Sequence, residues 1–279
     1  MTRPIIQSVA LYSAVLLLAT FTLAPLVWLL LMSVSPPLDL LQVPLGWWPS
    51  DFDLSRYAAL LDLDQEQGQR FLAALRNSLI AAGGATAIAL IFAIPAAYSF
   101  SRRGAPMALL FGFLATIMMP PITYVLPLYK VFGALGLLNN LVSLIIVYAA
   151  MLLPFAVWLM KANLDVLPVE VEQAAFMEGA STVYTLRRVV LPLALPAIAA
   201  TAMLSFLSAW DEFFYALIFT SDISAKTLPV AIADFAAGRI TDYGVIAAVG
   251  ILATLPPALL AIMFQRFIVS GLVAGSVKG

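Results

Sequence analysis

Two stretches of this chain place polar side chains in otherwise apolar surroundings, and they bound the chemistry open to it. The first is SAWDEFFYAL, residues 208–217, which sets Asp211 beside Glu212 inside an apolar run from Leu193 to Thr220. An ionisable group within a spanning segment costs ~2.5–3.5 kcal/mol to insert, so it must face a cavity or a partner. Neighbouring helical positions point ~100° apart, so both cannot face one narrow channel equally, and one is expected to make a structural contact. Adjacent positions also make poor acid/base partners. The second stretch is LDVLPVEVEQAAFMEGASTVYTLRRVVLPLAL, residues 164–195, which carries Glu170, Glu172, Gln173 and Glu178. Histidine and cysteine are both absent. That removes imidazole and thiol catalysis, disulfides, haem on His and Cys or His metal sites. No Gly-x-x-x-x-Gly-Lys-Ser/Thr phosphate loop occurs, so any ATP that drives this chain is bound by another one.

The second stretch reads as two short helices with a sharp joint. Pro168 suits a first helical turn, where its missing N–H has no partner to lose. Glu170 and Glu172 sit at the positive end of the helix dipole. Gly179, after Glu178, is free to take positive φ and end the helix. Ser181 then caps a second helix from Thr182 onward. Pro192 and Pro196 interrupt the donor pattern as the next apolar run begins. Ala174 and Ala175 leave room for another backbone, with Phe176 and Met177 as apolar knobs beside them. On shape alone, a plain amphipathic linker at the lipid interface accounts for this stretch better.

Composition fixes the solvent. With 279 residues, 63% of them hydrophobic and 10% charged, and a mean hydropathy of +1.03, this reads as a membrane protein, and its long apolar runs predict an all-α fold with several spans. The net charge of −1 gives no case for nucleic-acid binding. Six spans are expected, each needing about 20 apolar residues. They are Val9–Val34, read as an uncleaved first helix; Phe71–Phe100; Pro106–Tyr129; Leu141–Met160; Leu193–Thr220; and Tyr243–Phe267. This divides the chain into residues 1–70, a first span with an outer loop, and a five-helix core over 71–279. The outer loop carries Trp47 and Trp48, suited to a membrane–water interface, and Phe52–Leu61 can form a short surface helix. In the second span Asn77 and Ser78 are read as interhelical hydrogen-bonding groups, and Gly83-Gly84 as a close-packing site. Pro120-Pro121 breaks the third span, which is expected either to kink or to line a pathway with Tyr124 near the break. Lys130–Asn140 is expected to be an exposed connection. With the elbow inside the cell, eight basic residues (Arg3, Arg102, Arg103, Lys161, Arg187, Arg188, Arg266, Lys278) face six outside (Arg56, Arg70, Arg76, Lys130, Lys226, Arg239). The short Arg102-Arg103 and Arg187-Arg188 loops weigh most in that count.

The elbow resembles the EAA loop of bacterial ABC importer permeases, whose pattern runs Pro-x-Glu-x-x-Glu-Ala-Ala-x-x-Asp-Gly-Ala with Leu-Pro about a dozen residues on. Pro168, Glu170, Ala174, Ala175, Gly179, Ala180, Leu191 and Pro192 match it. Gln173 replaces the signature Glu, which removes an ion pair unless Glu172 substitutes, and Glu178 replaces Asp. RNSLIAA (76–82), PAAYSFSRR (95–103), AWDEFFYAL (with Asp211 for the usual Asn), TLPVAI (227–232) and QRFIVSGLVAGSVKG are similar to stretches of the carbohydrate-uptake, maltose-transporter type. The resemblance implies a multi-pass permease of the bacterial inner membrane, with both termini cytoplasmic. Its partners would be a second, different permease, two ATPase subunits holding ATP and Mg, an extracytoplasmic solute-binding protein and membrane lipid. A coupling loop over about 161–192 would seat on an ATPase through Glu170, Glu172, Gln173, Ala174, Ala175, Phe176, Glu178 and Gly179. A sugar path would involve Tyr124, Trp210, Asp211, Glu212 and Tyr215, since sugar sites combine aromatic faces with hydrogen-bonding groups. Two rival readings remain open: an ion-coupled secondary transporter using Asp211 or Glu212, and a membrane enzyme using the same pair. The first lacks the internal repeat that many such transporters carry.

Overall fold

Apolar length decides most of the secondary structure. In the computed structural model, residues 5–44, 46–237 and 242–274 are described, with side-chain surroundings over 7–44, 46–237 and 242–265. Arg3, Arg239 and the Lys278 end of the tail lie outside these residues, as does the side chain of Arg266. Every regular element among the described residues is helical.

The residues fall into two compact units, one of 1–72 with 231–255 and one of 73–230 with 256–279. The first holds α1 (Ile5–Val34) and α2 (Ser55–Leu61). Arg56 of α2 is buried; its Nη1 donates to the Ser35 carbonyl at 2.6 Å, and its Nε lies 3.5 Å from Asp242. Gly244 packs against this guanidinium, where a Cβ would meet Cζ at 2.3 Å, so any side chain there would have to displace Arg56. Trp47 and Trp48 are exposed, as an interfacial position requires.

The long helix α3 (Glu66–Arg102) starts at Glu66, not Phe71. The run EQGQR has no helix breaker apart from one glycine, so the helix extends outward past the apolar core of the span. The expected third span is two short helices, α4 (Met107–Ile117) and α5 (Val125–Ala134). Between them Pro121–Thr123 forms a 3₁₀ turn at the proline pair. Pro127 lies in the first turn of α5, where its missing donor costs nothing. Helix therefore occupies part of the connection expected to be irregular after Lys130. Next, α6 (Leu141–Leu164) is capped by Asn140, whose side chain accepts from Val142 N at 2.9 Å.

The elbow comprises α7 (Val169–Met177), α8 (Thr182–Thr185), a π-helical turn at Leu186–Val190 and α9 (Leu191–Leu193). Then follow α10 (Leu195–Trp210), α11 (Phe214–Phe219), α12 (Leu228–Ala236) and α13 (Tyr243–Ala274). The fifth span is thus not one helix from Leu193 to Thr220. Its approach, Thr182–Leu193, bends by 78° into α10, and the helix ends again at Trp210. Among the described residues, four helices are long and apolar enough to cross a membrane, and the bent pair makes a fifth candidate.

Within the second unit, α6 is the central post, packing against α4, α10 and α11. Its Ala156 and Val157 join Ala93 and Leu110 in one buried cluster. Small residues are what let these backbones approach. Of the glycine pair in α3, only Gly84 meets a neighbour: a Cβ there would lie 3.1 Å from Ile145, whereas Gly83 opens onto free space. Asn77 and Ser78 tie α3 to the segment before α12. The Asn77 amide donates to the Ile223 and Lys226 carbonyls, both at 3.0 Å, and Leu228 N donates to Ser78 Oγ at 2.7 Å. The fully buried Asn77 is a fastener between two loop ends.

Candidate functional site

The elbow takes its shape from local chemistry. Pro168 stands one residue outside α7, as its extended N-cap, rather than in the first turn. At the other end Gly179 has φ +85°. Gly179 N donates to Phe176 O and Ala180 N to Ala175 O, each at 3.0 Å. These are the paired 5→2 and 6→1 bonds of a Schellman stop, which needs a left-handed residue at that position. Ser181 Oγ then accepts from Tyr184 N at 3.3 Å and starts α8.

This sharp stop presents one side of α7 outward. Glu170, Gln173, Ala174, Phe176, Glu178 and Gly179 are exposed, Met177 is 89% exposed, and Ala175 is half-buried. Glu172 is different, at 3% exposed. Its carboxylate accepts from Arg102 Nε at 2.8 Å and from Tyr98 Oη at 2.9 Å. The structure therefore directs Glu172 inward, and it does not stand in on the outer face for the Glu that Gln173 replaces.

The partners that hold the elbow are residues that sequence reasoning read only as a tight basic turn. Arg102 Nη2 donates to the Leu164 and Leu167 carbonyls at 2.8 and 3.0 Å. Arg103 bonds Thr182 and lies 5.9 Å over the Phe176 ring. Ser101 Oγ donates to Asp165 at 2.6 Å. Partial burial alone would raise the Asp165 carboxyl, but the hydrogen bonds from Lys161 and Ser101 outweigh it and hold the group below the usual carboxylate range. The available signal was topological: a basic turn and an elbow assigned to the same membrane face.

The second group of residues lies where the fifth span breaks. Asp211 ends α10 and is exposed. Glu212 turns its carboxylate onto the start of α11, accepting from Tyr215 N at 3.0 Å and Ala216 N at 3.3 Å. A carboxylate at that place answers both the free N–H groups and the positive end of the helix. The expectation of two adjacent carboxylates on one continuous helix is thus corrected: one ends a helix and the other caps the next. Buried Tyr148 brings its hydroxyl beside Glu212 and Thr227. Tyr124 and Tyr215 stack with ring centres 6.2 Å apart and planes at 30°, which joins the break in the third span to the break in the fifth. Trp210 is buried and stacks on Phe206 at 5.5 Å, apart from that tyrosine pair. Tyr215 itself is buried, so the polar and aromatic groups left open at the two helix breaks include the exposed Asp211 and the half-buried Tyr124.

Comparison with known proteins places this architecture. The chain is 34% identical to the trehalose/maltose transport system permease protein MalG of Thermococcus litoralis, over 100% of both chains. It is 35% identical to the trehalose transport system permease protein SugB of Mycobacterium tuberculosis, covering 97% of this chain and 98% of that one. In fold it matches the crystal structure of a bacterial ABC transporter involved in the import of the acidic polysaccharide alginate. The TM-score is 0.75 at 24% identity, over 95% of this chain and 98% of that one. Residues 71–273, from the foot of α3 through α13, match the model of the binding-protein-dependent transport system inner membrane component, and the chain belongs to that family of permeases.

Proposed function

We propose that this chain is one half of the membrane pore of an ATP-driven importer for a sugar or sugar derivative, and that its elbow is the seat for an ATPase subunit. The observation that carries the reading is the elbow itself. A nine-residue helix closed by a Schellman stop offers Glu170, Gln173, Ala174, Phe176 and Met177 on an open face, while its other side is bound into the permease. Such a helix is too short to be stable alone and is suited to a groove on a partner. Trehalose and maltose are named for the relatives, and the exposed Asp211 with the half-buried Tyr124 offers a sugar an acceptor and an aromatic ring here. The membrane count is six crossings with both termini cytoplasmic, α4 and α5 making one crossing broken at the proline pair. Residues 71–279 form the transport core. A second, different permease completes the pore, two ATPase copies hold ATP and Mg, and an extracytoplasmic binding protein delivers the solute.

The test is purification of the tagged chain from its native membrane, followed by ATP hydrolysis with and without the co-purifying binding protein. A second permease and an ATPase that travel with the chain, and hydrolysis raised by loaded binding protein, are the expected results. A chain that purifies alone and, once reconstituted, accumulates solute on an ion gradient without ATP would overturn the assignment and return attention to Glu212.

A further inference from the structure

Three residues near the end of α3 and Arg103 just after it grip the elbow, and the grip is unlike an incidental surface contact. Tyr98, Ser101, Arg102 and Arg103 reach partners between Leu164 and Thr182. At the centre lies the Arg102–Glu172 pair, with side chains 10% and 5% exposed. Arg102 spends Nε on Glu172, Nη1 on Ser101 Oγ at 2.9 Å and Nη2 on two carbonyls. Both oxygens of Glu172 are engaged, one by Arg102 and one by Tyr98. A buried ion pair adds little net stability over an apolar replacement, yet losing one partner is costly, so its best-attested use is to fix one register. Beneath it Ala97, Tyr98, Met160, Leu164, Val190 and Ala194 form a single buried cluster.

The route from the elbow into the fifth span is built differently. It runs through a π-helical turn, two prolines and the 78° bend before α10. These are features at which helices give way under load. We infer that Tyr98, Arg102 and Glu172 are positioning residues that fasten the elbow to α3, so that displacement of the elbow's open face is delivered first to the second span and only through a hinge to the fifth. The inference rests on the reading of the elbow as an ATPase seat.

The experiment uses the assembled transporter in proteoliposomes and reads uptake per ATP hydrolysed. E172Q keeps the shape and the Tyr98 contact but strands the Arg102 charge, and is expected to lower that ratio about tenfold. R102Q/E172Q removes the stranded charge but also the Arg102 bonds to the Leu164 and Leu167 carbonyls, and is expected to recover part of the loss, to a ratio between those of E172Q and the parent. A merely structural role would lower assembly, hydrolysis and uptake in parallel and leave the ratio unmoved, which would overturn the inference. A second arm holds if E172Q fails to assemble. The chain has no cysteine, so R103C/T182C can be bridged across the elbow with a bifunctional thiol reagent of arginine length. Uptake by the bridged protein equal to that of the same variant unbridged supports a joint that stays closed through the cycle. Uptake abolished by bridging and restored by cleaving the bridge means that α3 and the elbow must part, and the inference fails. If the parent chain assembles with no ATPase, the seat itself is wrong; if the parent couples normally and E172Q does too, only the clamp is wrong.

Discussion

Replacing Gly179 isolates one physical cause, because the conformational and steric costs separate there. Its φ of +85° is a left-handed conformation, and a Cβ built on it meets nothing within 4 Å. In this chain G179A therefore costs only the left-handed penalty of an L-residue, ~1–2 kcal/mol. G179N costs less, since asparagine bonds locally in that conformation, and G179V costs more because its β-branch restricts it further. The amides to follow are Gly179 and Ala180, which close the stop on Phe176 and Ala175. A penalty of that size speeds their hydrogen exchange about 5- to 30-fold in G179A. The order of rates should be parent, Asn, Ala, Val. If alanine exchanges like the parent, or asparagine like valine, the argument from backbone conformation is wrong. The same series reports on the partner. A loss of uptake in G179A far beyond the exchange effect means the added methyl meets a chain seated on the elbow, because nothing among the described residues of this chain lies within 4 Å of it.

Other expectations follow from single contacts. S181A removes the cap on Tyr184 N and should weaken the start of α8 by ~0.5–2 kcal/mol, seen as faster exchange at Tyr184 with α7 unchanged. G84V should separate α3 from α6, where Ile145 already stands 3.1 Å from the site of a Cβ, and lower the thermal midpoint. G83V should leave that midpoint unmoved, and any loss of uptake it causes would place a partner helix against that face. Asp165 is held below the ordinary carboxylate range, so the stability it contributes is fully present above the unfolded value near 4 and is lost as pH falls through the lower folded value. Exchange protection around Leu164–Leu167, corrected for intrinsic rates, should therefore be flat from neutral pH to about 5 and fall below about 4. E212Q keeps an acceptor for the α11 amides and cannot carry a proton; uptake that survives in it, with ATP supplied and the proton gradient collapsed, removes the ion-coupled reading.

The parts of this molecule legible from sequence are those set by local chemistry. Pro168, Gly179 and Ser181 announced the elbow, and the structure gives it the stop and the cap those residue types favour. Pro120-Pro121 announced the break in the third span. The break at Asp211–Phe213 was not legible, because SAWDEFFYAL contains neither proline nor glycine and helix propensity there is ordinary. The helix is interrupted by a side chain, Glu212, turning back to answer the amides of the next segment, and that is visible only once the backbone has departed. Glu172 was misjudged for a related reason. Two neighbouring carboxyl-type positions on a short helix look alike in sequence. Burial separates them, and it depends on Arg102, 70 positions away.

The break after Trp210 also bears on how the chain is made. At 1.5 Å per residue the 16 residues of α10 reach only ~24 Å, short of the ~30 Å hydrocarbon layer. The six residues of α11 follow a pair of carboxylates. Emerging from the translocation machinery by itself, this segment has neither the length nor the polarity of a self-sufficient anchor. Its natural receptor is α6, already synthesised, which supplies the packing face for both pieces and sets Tyr148 beside Glu212. By contrast α1, whose 28-residue stretch Gln7–Val34 has none of its most hydrophobic window buried, has the length and hydropathy to insert by itself. Insertion is therefore expected to run in order, with α1 entering on its own hydropathy and the segment that breaks at Asp211 entering against α6.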